Sequence, residues 1–113
     1  MSKILVVDDD RLIRELISDC LMAEGHEVRL AESGEAALAI INAGFEFDVL
    51  ITDMMMPVQS GVELIDGLRR RGFRQKMIVV TGQVRHEAVP GADDVIAKPF
   101  HLERLINAVK RSN

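Results

Sequence analysis

Four short apolar runs of this chain end in residues that could do chemistry. Ile4-Leu5-Val6-Val7 runs into Asp8-Asp9-Asp10, and Val49-Leu50-Ile51 is followed two residues on by Asp53. Met77-Ile78-Val79-Val80 runs into Thr81, and Val95-Ile96-Ala97 into Lys98. If these runs are neighbouring parallel strands, acidic groups, a hydroxyl and an ammonium meet at one rim of a sheet. Carboxylates gathered there repel one another by several kcal/mol in a partly buried site unless a cation joins them. Oxygen donors suit a hard ion, and Mg²⁺ commonly takes one or two carboxylates, a phosphate oxygen and waters. An aspartate beside such an ion can act as a nucleophile toward phosphorus and form an aspartyl phosphate. An ammonium such as Lys98 would offset charge on the phosphoryl oxygens, and a hydroxyl such as Thr81 would donate to one of them. Each residue alone has a plainer reading, as a helix cap or a surface lysine. Together they point to metal-assisted phosphoryl transfer to an aspartate.

The elements that must position these groups follow from periodicity. The runs at Ile4, Val49 and Met77 are continuous and apolar, as expected of strands buried on both faces. Glu27-Val28-Arg29-Leu30 alternates polar and apolar and reads as an edge strand; Val95 to Ala97 is the fifth strand. Asp10 can cap a helix whose apolar side is Leu12, Ile13, Leu16, Ile17, Cys20 and Leu21, with its stop at Gly25. Ser33 caps an alanine-rich helix with Ala37, Ile40 and Ile41 inward, ending near Gly44. Leu64, Ile65 and Leu68 mark a third helix ending at Gly72, and Leu102, Leu105, Ile106 and Val109 mark the last. Strand–helix alternation of this kind gives right-handed crossovers and a parallel sheet covered on both faces. The expected fold is a flavodoxin-like, doubly wound α/β domain of five parallel strands in the order 2-1-3-4-5. In such sheets ligands sit outside the carboxyl ends of the strands. Only 16 residues separate Thr81 from Lys98, close to the minimum for a parallel crossover. The helix within it should be a stub, over about Val84 to Val89.

Composition bounds the rest. A chain of 113 residues, 48% hydrophobic and 28% charged, fits one globular domain, read as residues 1–113 with no output domain. Its net charge of −4 gives no encouragement to direct nucleic-acid binding. No apolar run approaches the length of a membrane span. A single cysteine, Cys20, cannot form an internal disulfide, so the expected compartment is the reducing cytoplasm. His26, His86 and His101 lack metal-ligand spacing and read as solvated, as does the basic cluster Arg69-Arg70-Arg71 with Arg74.

ILVVDDD, ITDMMMP, VVTG and GADDVIAKPF, in that order, closely resemble the receiver domain of bacterial two-component response regulators. The resemblance covers essentially the whole chain. It implies that Asp53 is the phosphoacceptor and that Asp8 and Asp9 are the acidic pair, with Asp9 the direct Mg²⁺ ligand. The backbone carbonyl of Met55 would complete the protein's ligands. Thr81 and Lys98 take the family's hydroxyl and lysine roles, and Lys98-Pro99 falls where the family usually has a cis peptide. The implied function is a stand-alone receiver, with no enzymatic role beyond self-phosphorylation and slow autodephosphorylation. It would be charged by a sensor histidine kinase or a histidine phosphotransfer protein and would signal to a downstream protein target.

Three departures qualify that implication. Val95 stands where the family usually carries Tyr or Phe, and valine has one short, stiff χ1 and no ring to relocate. The short crossover trims the face formed by the fourth crossover, fifth strand and last helix. That leaves either self-association, a binding protein, or the loop itself to cover the sheet. Met55 and Gln83 stand where the family controls access of water to the acyl phosphate, and an apolar Met55 predicts slow hydrolysis. Two other functions compete. VVDDDR also resembles the opening of the haloacid-dehalogenase phosphatases, with Asp8 as nucleophile and Asp10 as general acid, but Arg11 replaces an expected small residue and no further catalytic segment follows. A phosphorylation-independent adaptor on the receiver fold is the other alternative.

Overall fold

The computed structural model describes residues 2–54, 56, 60–82, 89–98 and 102–110. They form β1 (Lys3–Val7), α1 (Arg11–Ala23), β2 (Glu27–Ala31), α2 (Gly34–Asn42), β3 (Val49–Asp53), α3 (Gly61–Arg70), β4 (Lys76–Thr81), β5 (Asp94–Ala97) and α4 (Leu102–Lys110). The five strands pair in parallel in the order β2-β1-β3-β4-β5, the expected flavodoxin-like arrangement. Of the stub helix expected over about Val84 to Val89, residues 84–88 lie outside the described residues, and Val89 is not helical.

Side chains of each inner strand alternate between two apolar layers, because successive residues point to opposite faces of a sheet. Leu5, Val7, Leu50, Met77 and Val79 meet Ala37 and Ile41 of α2 and Leu64, Ile65 and Leu68 of α3. Ile4, Val6, Val49, Ile51, Ile78, Val80 and Ile96 meet Ile17 and Leu21 of α1 and Leu105, Ala108 and Val109 of α4. Central strands β3 and β4 are buried throughout, whereas β2, at the edge, is exposed at Glu27, Arg29 and also Leu30. Two helix starts obey the capping chemistry read from the sequence, and the start of α3 adds a cap that was not read there. Asp10 accepts from the N–H groups of Leu12 and Ile13, Ser33 from that of Ala36, and Ser60 and Glu63 form a reciprocal capping box.

One expectation for α1 needs correction. Of its apolar residues, Ile17 and Leu21 are buried and Ile13 packs against the core, but Leu12 is 77% and Leu16 50% exposed. The apolar sector of this helix is wider than the strip that one sheet face can cover.

The basic cluster also divides. Arg70 pairs with Asp66 in the open, but Arg69 turns inward from α3. Its Nε and Nη2 donate to the Gly91 carbonyl at 2.9 and 2.8 Å, and its Nη1 donates to the carbonyls of Phe73 and Gln75 at 3.0 and 2.9 Å. Nη2 also meets Asp93 at 3.1 Å. The segment entering β5 is thereby tied to α3, with Val89 buried and Ala92 packed on the same layer. Gly91 is required here: its φ is +86°, and a Cβ would press on Ile65 and on Arg69 itself. Lys76 is likewise buried, its Nζ donating to the Ala108 carbonyl at 2.8 Å across the sheet's other face.

His26 is half-buried rather than solvated. Its Nδ1 accepts from the Ser2 N–H at 3.0 Å, and burial holds its pKa below the ordinary imidazole value. His86 and His101 lie outside the described residues.

Two predictions follow from these contacts. Arg69→Met should lower the unfolding free energy by about 2 kcal/mol in a urea titration, because half-buried carbonyls lose their donors. Arg70→Met, which removes only an exposed pair, should change it by less than about 0.5 kcal/mol. Equal effects would show that the Arg69 contacts carry no stability. For His26, the unfolded chain binds a proton at higher pH than the folded protein does. Its contribution is therefore complete above about pH 6.5 and is lost as the pH falls from there toward the lower folded pKa. The drop in urea midpoint between about pH 7.5 and about pH 5.5 should be smaller in His26→Gln than in the parent, and an equal drop would show that the ring titrates normally when folded.

Candidate functional site

The parallel sheet delivers every strand's carboxyl end to the same rim. Asp8 follows β1 by one residue, Asp53 is the last residue of β3, Thr81 the last of β4, and Lys98 follows β5 by one residue. The register makes them neighbours: Val7 pairs with Thr52, Asp53 with Val80, and Thr81 with Ala97. Carboxylate oxygens of Asp8, Asp9 and Asp53 all lie within 4.8 Å of one another. Lys98 Nζ stands 3.4 Å from Asp8 Oδ2 and 3.7 Å from Asp53 Oδ2. Asp8 and Thr81 are buried, Asp53 is 9% exposed, and Asp9 lies at the surface. The residue expected to accept a phosphoryl group is thus only slightly exposed, between the buried Asp8 and the surface Asp9 in accessibility.

Backbone contacts fix these positions. Asp8 donates its N–H to the Ala31 carbonyl at 3.1 Å, which ties the β1 end to β2. Its Oδ1 accepts from the Asp10 N–H at 2.8 Å, and its Oδ2 faces Lys98. Lys98 in turn donates its N–H to the Thr81 carbonyl at 2.6 Å. Past Asp53, Met54 donates its N–H to the Val80 carbonyl at 3.2 Å, and Gly61 donates to the Met54 carbonyl at 2.9 Å. The start of α3 therefore lies against the backbone of Asp53. A Cβ at Gly61 would overlap the Asp53 carbonyl oxygen, so only glycine fits there.

Three carboxylates this close and a lysine aimed between two of them are a donor set that fits a hard divalent ion. Asp8, Asp9 and Asp53 would hold it, Lys98 supplies a fixed cation, and Thr81 supplies a hydroxyl. Met55, Gln83 and Pro99 lie outside the described residues, so the carbonyl ligand, the water-control pair and the Lys98-Pro99 peptide bond do too. Val95 is half-buried in β5 and packs on the α2/α3 layer as an ordinary strand residue.

Residues 4–110 match the response regulator receiver domain. The chain belongs to the response regulator receiver family. Curated relatives include the response regulator MprA of Mycolicibacterium vanbaalenii and that of Mycobacterium avium. They are 40% and 41% identical to this receiver over 109 residues, which is 92% of this chain and 47% of each relative. The chain thus spans about half the length of those relatives. Among solved structures, the response regulator TrrA of Thermotoga maritima in complex with Mg²⁺-BeF aligns with a TM-score of 0.88 and 37% identity, over 97% of both chains. The chemotaxis protein CheY4 of Vibrio cholerae aligns with a TM-score of 0.89 and 34% identity, over 98% of both. A receiver is a signalling module rather than a classical enzyme, and response regulators partner with histidine kinases. No helix among the described residues of this receiver is long and apolar enough to cross a membrane.

Sequence reasoning did not single out two residues that shape the site. Gly61 follows Ser60, and Ser60 with Glu63 carries a capping signature that marks where α3 starts. Arg14 of α1 donates its Nη1 to the Asp8 carbonyl at 2.8 Å. No sequence spacing announces that bond. For Gly61→Ala we predict a loss of about 1–3 kcal/mol in stability, as for other overpacked sites. Displacement of the amide resonances of Asp53 and Met54 should accompany it. Parent-like stability with unmoved resonances would refute the close approach.

Proposed function

We propose that this receiver is phosphorylated on Asp53 in a Mg²⁺-dependent reaction with a histidine kinase or histidine phosphotransfer protein. It then signals by protein–protein contact in the cytoplasm, and the acidic receiver itself makes no direct contact with nucleic acid. The observation that carries this reading is the cluster of Asp8, Asp9 and Asp53 oxygens within 4.8 Å, with Lys98 facing two of them. An Asp53 carboxylate oxygen attacks phosphorus as the donor's P–N bond breaks, and the departing imidazole takes up a proton. Lys98 offsets the charge on the transferred group, and Thr81 donates a hydrogen bond to one of its oxygens. Bound Mg²⁺ would neutralise charge between the carboxylates and the phosphoryl oxygens. Asp8 is a poor alternative nucleophile, because it is buried with both carboxylate oxygens already engaged. That argues against the phosphatase reading. Met55 carries the slow-hydrolysis proposal by its residue type alone: an apolar side chain there cannot orient water.

The test is intact mass after incubation with Mg²⁺ and acetyl phosphate. The parent should gain one phosphoryl group, while Asp53→Asn and a chelated sample should gain none. The acyl phosphate, once formed, should outlast free acetyl phosphate in the same buffer. A parent that binds Mg²⁺ yet gains no mass would favour the phosphorylation-independent adaptor instead, the reading to which Val95 lends weight.

A further inference from the structure

We propose that Arg14 is a positioning residue of the metal site, acting through the peptide plane between Asp8 and Asp9. The inference rests on the function proposed above. Asp9 is the exposed member of the acidic cluster, and among the described residues its carboxylate makes no hydrogen bond or ion pair. Its direction is therefore set by its backbone. The Asp8 carbonyl and the Asp9 N–H belong to one rigid planar unit, so holding that carbonyl fixes where the Asp9 Cα–Cβ bond begins. The carbonyl lies past the end of β1, where no backbone N–H among the described residues takes it up. Arg14 takes it up instead: it sits one turn into α1, is half-buried, and donates Nη1 at 2.8 Å.

This bond completes the restraint of Asp8 from several elements. Its N–H goes to Ala31 of β2, its Oδ1 receives the Asp10 N–H, its Oδ2 faces Lys98, and its carbonyl receives Arg14. Without the guanidinium, a largely buried carbonyl would lack a donor, and the 8–9 peptide would be free to rotate toward one. The carboxylate of Asp9 would swing with it. Groups that orient metal ligands without touching the metal typically change affinity by about 10–100-fold when removed. Arg14 is expected at the low end of that range, because it acts on one ligand of the cluster.

Three variants separate the hydrogen bond from charge and packing. Arg14→Met keeps the apolar stem and loses the donor, Arg14→Gln keeps a donor without charge, and Arg14→Lys keeps both charge and a donor. Calorimetric titration with Mg²⁺ alone should show affinity down roughly tenfold in Arg14→Met and largely restored in Arg14→Lys and Arg14→Gln. In the metal-free protein, the amide resonances of Asp9 and Asp10 should move in Arg14→Met while those of β3 and β4 stay. An Arg14→Met protein that binds Mg²⁺ within about twofold of the parent, with unmoved Asp9 and Asp10 amides, overturns the positioning role alone. A parent that fails to bind Mg²⁺ overturns the function proposed above and this inference with it.

Discussion

Everything at the rim of this sheet answers one electrostatic constraint: Asp8 and Asp53 must sit close together and out of bulk water. At a separation of about 4.8 Å and an effective dielectric near 20, two ionised carboxylates repel by roughly 3 kcal/mol, and the exposed Asp9 adds to it. Lys98 is the chain's own answer, placed 3.4 Å from one carboxylate and 3.7 Å from the other. Its placement is a property of the whole sheet rather than of its neighbours in sequence. Lys98 is 90 residues from Asp8, and they meet only because β1 and β5 run the same way with β3 and β4 between them. A one-residue slip of any strand would turn its terminal functional group to the other face. Three strands, β1, β3 and β4, buried over most of their length on both faces make such a slip costly, which is how the apolar layers serve the site.

Two arginines show a complementary device. Loops that leave a regular ladder carry carbonyls with no strand partner, and a buried one without a donor is costly. Arg14 closes this account for the β1–α1 turn, and Arg69 does so for three carbonyls around the entry to β4 and β5. A planar guanidinium with five donors can bind several such carbonyls from one side chain, which lysine cannot. The segment carrying Val89 and Ala92 is thus held onto α3 and covers part of the layer that a fourth-crossover helix would otherwise shield.

How much of this was legible in the sequence depends on how local the signal is. Continuous runs such as Ile4–Val7 and the alternation of Glu27–Leu30 report burial on two faces or one, so strand type and the edge position of β2 could be read directly. Asp10, Ser33 and Ser60 cap helices through bonds spanning three residues or fewer, and those too were readable. The residues gathered at the rim could be picked out because each stands at or beside a strand end, and strand ends are marked by the change from apolar to polar. Leu12 and Leu16 misled because an apolar residue on a helix reports a preference, not the width of the surface available to receive it. Arg69, His26 and Arg14 were invisible for a different reason. Each makes bonds to segments outside its own helix or strand, and a polar residue of this kind looks solvated until its partners are known.

The link between site and surface follows from the same packing. Thr81 and Lys98 are joined by a main-chain hydrogen bond of 2.6 Å, so the hydroxyl and the cation belong to one paired edge of the sheet. Val95 lies on that edge, three residues before Lys98, and packs into the α2/α3 layer with Val79 and Ile65 nearby in the same cluster. A β-branched side chain in such a layer has one accessible rotamer and no long lever to swing. Under the proposed function, a shift of Thr81 toward a phosphoryl group therefore cannot be relayed by a ring changing pockets. It must pass as movement of the β4–β5 backbone itself. That backbone is anchored at its far end, through Arg69 to Gly91 and Asp93 and through Lys76 to Ala108 of α4. Displacement at the rim is then passed to the packing of α4 on the sheet.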